Sequence, residues 1–305
     1  MRSFAVFLAL IIAAMAAIAA LAYPAWMFTQ SLGFDFKFPR VAARVAMLVL
    51  IVGFVLIARR LRVADRASLG WNLPARQFLV EMTRAWLFGV MLMAPVLATM
   101  FTLDMRVMKP EYLLHANLWA PEILTGVLAG LLVGVTEETF MRGAMQTAIT
   151  RESGTAVAIA LTAPLYAATH FFAKFRIAAA DVNPGSGLDM LTTTLASFVH
   201  PLGILDAFLC LTLVGVLLGM VRALTGNIAA CVGLHAAWVA VIFVVREVSS
   251  RNRASPAAWL MGDYDGFVGW MVLAWMLVIG WVIWWYYGGV RRGKSAQPGS
   301  PRATA

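Results

Sequence analysis

Glu137 and Glu138 stand side by side in an otherwise apolar stretch, within the run Thr136-Glu137-Glu138-Thr139-Phe140-Met141-Arg142. An ionisable side chain inside a lipid-spanning segment is costly, so it marks a functional site by default. On a helix Glu138 and Arg142 are four apart and share a face, whereas Glu137 points about 100° away from Glu138. Arg142 can thus hold Glu138 ionised, which leaves Glu137 as a general base or acid. The competing reading is a salt bridge that only fixes helix register, with Glu137 at the water boundary.

Two imidazoles come from other segments. His170 closes the apolar run Tyr166-Ala167-Ala168-Thr169-His170. With a turn near 151–154, Glu137 and His170 each lie roughly 21–24 Å from it at 1.5 Å per residue, at similar depth on adjacent antiparallel helices. His235 sits in Gly233-Leu234-His235-Ala236-Ala237-Trp238, with Cys231 and Asn227 at i−4 and i−8 on the same face. Asn227 reads as an N-cap, and Cys231 as a small packing residue rather than a nucleophile. His115 and His200 fall in loops or at span ends and read as surface or interfacial residues. One carboxylate and two imidazoles from three helices can deprotonate a water and stabilise the charge that develops on a peptide carbonyl. Glu137, His170 and His235 also compose a His₂Glu zinc set with an open position. The metal-free version is favoured, because the Glu138/Arg142 pairing manages carboxylate charge without a cation.

The elements that must position these groups are membrane helices. The chain has 305 residues, 62% hydrophobic and only 13% charged, with a mean hydropathy of +0.82; soluble domains carry about 25% charged residues. The fold class this predicts is all-α, a polytopic membrane helix bundle. About 20 apolar residues cross a hydrocarbon core of roughly 30 Å, which divides the chain into about eight spans: 4–22, 41–58, 85–103, 123–143, 155–173, 203–221, 227–245 and 267–287. Most contain an internal Gly or Pro, which membrane helices tolerate and which lets backbones approach closely. Arg2 and the Ala20-Leu21-Ala22 run imitate a signal peptide, but the apolar stretch, about 18 residues, exceeds the roughly 7–15 of a signal core, so it reads as an uncleaved anchor. A single transmembrane domain covers 1–290, with the chemistry in about 120–245. Residues 291–305, rich in Ser, Pro, Gly and basic residues, read as a disordered cytoplasmic tail.

The net charge of +9 gathers at span ends rather than on a soluble face, which argues against nucleic acid as a partner. Arg59, Arg60, Arg62, Arg66 and Arg76 follow the second span; Arg291, Arg292 and Lys294 follow the eighth. By the positive-inside rule both clusters and both termini are cytoplasmic, although Arg246, Arg251 and Arg253 fall on the outer side. The two cysteines, Cys210 and Cys231, lie within spans and indicate no disulfide framework.

The ordered set Glu-Glu-x-x-x-Arg at 137–142, aromatic-x-x-x-His at 166–170 and His-Ala at 235–236 resembles the CPBP family of CAAX prenyl endopeptidases and bacteriocin-processing proteins, over about 133–239. The resemblance implies an intramembrane endopeptidase whose polar cavity opens toward the cytoplasm. It implies that Glu137 activates water with help from His170, that Glu138 and Arg142 hold the helix and the charge balance, and that His235 binds the hydrated site or the oxyanion. Two positions depart from the pattern. Tyr166 stands where Phe is usual, and Val239 stands where the family carries Asn, so the usual oxyanion donor is missing. Losing one such donor costs about 10²–10³ in turnover, so Asn227, Tyr166 or a backbone amide is expected to fill the place, unless the substrate class differs.

The implied partner is a membrane-associated protein or peptide within the lipid bilayer: a prenylated C-terminus, a leader peptide or a membrane-anchored signal segment. Two other classes compete. A proton-coupled carrier would use buried Glu and His as a relay, but no repeat between halves is evident. A non-catalytic scaffold retaining the fold gains some support from Val239. Twenty Arg against four Lys, with Ala-rich spans, suggest a GC-rich bacterial genome, hence a bacterial inner membrane and a non-prenylated substrate.

Overall fold

The computed structural model describes residues 1–173 and 175–295. Among them eleven α-helices follow in order: α1 Arg2–Ser31, α2 Phe38–Arg60, α3 Ala75–Thr102, α4 Pro110–Leu114, α5 Trp119–Glu138, α6 Gln146–Ser153, α7 Thr155–Thr169, α8 Ser186–Val199, α9 Leu205–Thr225, α10 Ala229–Val248 and α11 Trp270–Ser295. Two three-residue strands, β1 Arg106–Met108 and β2 Ser249–Arg251, pair antiparallel. The chain is an all-α polytopic membrane bundle. Seven stretches are long and apolar enough to cross a bilayer: α1, α2, α3, the continuous run 116–153, α9, α10 and 270–288.

The expected span at 155–173 is the exception. Its α-helix, α7, has 15 residues, about 22 Å of rise against a hydrocarbon core of roughly 30 Å. Local hydrogen bonding explains the stop. The Thr169 hydroxyl and His170 Nδ1 both donate to the Tyr166 carbonyl, at 2.7 and 2.9 Å, taking the acceptor that a further helical turn would use. The chain then tightens into a 3₁₀ turn at His170–Ala173. At the other end of the chain α11 continues to Ser295, five residues into the stretch expected as a tail, and the remainder, 296–305, lies outside the described residues.

At the centre stands α10. Of its most apolar 18-residue window 67% is buried by protein, against 17% for α2 at the periphery. It packs between α3 and α5. Gly126, Gly130 and Gly134 recur once per turn along α5, and a Cβ at Gly130 would lie 2.3 Å from the Ala236 carbonyl oxygen. Small residues at this spacing let two membrane helices touch through their backbones. The same i+4 stripe continues to Glu138, so the close approach that glycine permits carries Glu138 onto α10.

Several contacts define the two faces of the bundle. The Met1 amino group donates to Glu152 at 2.9 Å, Arg151 donates to the Arg62 carbonyl at 2.9 Å, and the Ile228 amide donates to Gly70 O at 3.1 Å. The N-terminus, the Arg59–Arg66 cluster and the start of α10 therefore share one face. The β1/β2 ribbon and the loop before α11 lie at the opposite end of α10. There the buried Arg106 ties both together by donating to Ser249 Oγ (2.8 Å), Ser249 O (2.8 Å) and Gly266 O (2.7 Å).

Candidate active site

Directly after Glu138 the helix widens into a π-helical segment, Thr139–Met145, before resuming as α6. Such wide turns are rare and concentrate at functional sites. The expected ion pair survives the change of pitch, with Arg142 donating to Glu138 Oε1 at 3.0 Å and both side chains essentially inaccessible. Arg142 also donates to Gly215 O on α9 at 3.2 Å and lies 4.7 Å above the ring of Tyr166. This one guanidinium joins three elements.

Glu138 has a second partner that helix periodicity did not reveal. His235 Nδ1 donates to Glu138 Oε1 at 2.8 Å. A carboxylate accepts, so the ring proton sits on Nδ1 and Nε2 is left open. The same reasoning fixes His170, whose Nδ1 donates to the Tyr166 carbonyl. Both imidazoles thus donate from Nδ1 and direct Nε2 away from that bond. Around the His235 Nε2 stand the Tyr166 hydroxyl at 3.4 Å and Glu137 Oε2 at 3.9 Å. Glu137 is the accessible carboxylate of the pair, its side chain 39% exposed against 0% for Glu138.

The structure therefore brings Glu137, Glu138, Arg142, His235 and Tyr166 together directly, and His170 through Tyr166, whose ring it meets edge-on at 4.5 Å. Asn227 is not among them. It precedes α10, accepts from the Ala229 amide at 2.8 Å and donates to Glu81 at 3.2 Å, so its side chain is engaged at the helix start, as its reading as a cap expects, and not with His235. Cys231 is fully buried, and its thiol donates to Leu218 O at 3.3 Å, so it packs rather than pairs with imidazole. His115 and His200 are exposed at the ends of α4 and α8.

A cavity of about 310 Å³ reaches this cluster, with Tyr166, His170 and His235 in its wall at one end and Arg246 and Asp265 at the other. It follows the C-terminal half of α10 because the N-terminal half is sealed by backbone contacts: Gly233 lies against Met82 O on α3, and Gly134 against Val232 O on α10. From His235 it runs toward the end of α10 opposite the Arg59–Arg66 cluster. Tyr264 bridges the two ends, its hydroxyl donating to His170 O at 2.7 Å. Burial, and then the charge of Asp265, push the Tyr264 phenol well above its ordinary range, which keeps it a donor.

The donor types of Glu137, His170 and His235 are ones that zinc takes; among the described residues no group of three or more His, Cys, Asp or Glu side chains converges as a metal set.

A buried carboxylate and guanidinium on one membrane span and an imidazole on another lie beside an accessible carboxylate and a cavity, an intramembrane polar site. Residues 118–241 match the family model described as type II CAAX prenyl endopeptidase Rce1-like, and every residue of the cluster lies within the matched region, which supports the resemblance to the CPBP family. No curated protein and no solved structure matches the chain.

Proposed function

We propose that this chain is an intramembrane endopeptidase that hydrolyses a peptide bond of a membrane-associated protein by glutamate-activated water, without a metal. The observation that carries the reading is the division of labour between two adjacent carboxylates. Glu138 is buried and committed to Arg142 and His235, while Glu137 is accessible and free of hydrogen bonds among the described residues. Glu137 takes a proton from water held against the open Nε2 of His235 and His170. The hydroxide adds to the carbonyl carbon, and the Tyr166 hydroxyl, next to His235 Nε2, donates to the oxygen in the place that Val239 leaves without an amide. Collapse breaks the C–N bond, and the amine departs with the proton that Glu137 carried. Glu138 and Arg142 hold His235 in its tautomer and keep the local charge balanced.

General-base catalysis contributes about 10²–10⁴, so Glu137→Gln is expected to reduce cleavage by that factor while the protein still folds. Comparing the membrane-proteome termini of cells carrying wild type with those carrying Glu137→Gln identifies the products. Activity that survives exhaustive chelation supports the metal-free mechanism; stoichiometric zinc lost together with activity overturns it. The site of action in this reading is a bacterial inner membrane, with both termini cytoplasmic. A transporter predicts solute movement that Glu137→Gln stops without any change in termini.

A further inference from the structure

His170 stands where α7 gives way to the 3₁₀ turn His170–Ala173, and carbonyls at a helix end lack partners within the helix. Its imidazole is oriented from α7, through Nδ1 and the Tyr166 carbonyl. Its backbone is held from elsewhere. The Tyr264 hydroxyl, 94 residues further along the chain, donates to His170 O at 2.7 Å, and the Tyr264 ring lies 4.8 Å from that of the buried Phe171. Tyr264 itself is delivered by a loop tied down on both sides of it. Arg251 donates to Ala258 O (3.3 Å), Met261 O (2.8 Å), Gly262 O (3.2 Å) and Asp263 Oδ1 (2.7 Å), while Asp265 Oδ1 accepts from the Phe267 and Val268 amides at 2.9 and 2.8 Å. Tyr264 and His170 both line the cavity, yet this loop lies outside the matched residues 118–241.

We propose that Tyr264 is a positioning residue of the site: its hydroxyl fixes the turn at His170 and so holds that imidazole against the water that Glu137 activates. The assignment rests on the peptidase reading above. The matched core supplies the reacting groups, and a loop beyond it sets where one of them stands. Tyr264 exchanges no proton in this role, and its hydroxyl remains a donor to the carbonyl throughout.

Two readouts test it. The first is the rate at which new protein termini appear in membranes after induction of each variant, normalised to folded protein extracted in detergent; termini made by wild type and absent with Glu137→Gln define the products. Tyr264→Phe keeps the ring against Phe171 and removes only the hydroxyl. It is expected to slow product formation by about ten- to hundredfold, the effect of a small displacement of a reacting group. Asp263→Asn, a change at the exposed neighbour in the same loop, is expected to keep the wild-type rate. The second is the imidazole NMR spectrum of detergent-solubilised protein, which carries only four histidines. Tyr264→Phe is expected to move the His170 signal, identified by its loss in His170→Ala, more than the His235 signal. A wild-type rate in Tyr264→Phe, an unmoved His170 signal, or a His235 signal that moves as far overturns the positioning role and leaves the peptidase standing. Identical termini from wild type and Glu137→Gln overturn the peptidase itself.

Discussion

Arg142 and Arg106 are both buried guanidinium groups, at 1% and 4% exposure, yet they organise their surroundings in opposite ways. Arg106, on β1, donates to backbone carbonyls of Val245, Ser249 and Gly266 and to one hydroxyl. Its acceptors are fixed and neutral, so it serves as a clamp between β2 and the loop before α11. Arg142, in the bundle centre, spends one arm on a carboxylate that is itself shared with an imidazole. The Glu138 Oε2 atom there has no partner among the described residues. A buried arginine saturated by carbonyls holds structure; one coupled to groups that can gain or lose protons keeps chemistry within reach.

Removing each cation should expose that difference. Arg142→Met leaves Glu138 charged and uncompensated in low dielectric, a defect worth about 3–5 kcal/mol, and is expected to abolish cleavage and lower Tm sharply in detergent. Pairing it with Glu138→Gln should return most of the stability but none of the activity, since His235 then loses its anionic partner. If the double variant cleaves, the centre is a structural clamp as well and the contrast fails. Arg106→Met leaves neutral carbonyls unpaired, about 1–3 kcal/mol in all; thermal unfolding should shift accordingly, while kcat per folded molecule stays within about threefold. A larger fall in kcat would join the two regions functionally. Gly130→Leu should cost about 1–3 kcal/mol by overpacking against Ala236, measurable as a lower Tm together with loss of the Glu138–His235 bond. Smallest of all, Cys231→Ala should change kcat by less than about twofold, because its thiol only packs.

The Glu138–Arg142 pair was legible because a helix places residues four apart on one face, and the π-helical turn that follows did not separate them. The Glu138–His235 bond was not, since periodicity describes one helix and this contact depends on the register between two. A signal did exist: the glycines at 126, 130 and 134 lead by the same step to position 138. Asn227 was misplaced as a possible donor because eight residues on a continuous helix would have aligned it with His235, whereas α10 begins only at Ala229. The amphipathic α8 fell below the length of a span, and three-residue strands are too short to leave a pattern.

From His235 to Arg246 the central helix rises by eleven residues, about 16 Å. An extended chain covers that distance with about five residues at roughly 3.3 Å each. In the peptidase reading, a scissile bond that comes to His235 along this cavity from the Arg246 end sits behind an extended tether of about that length.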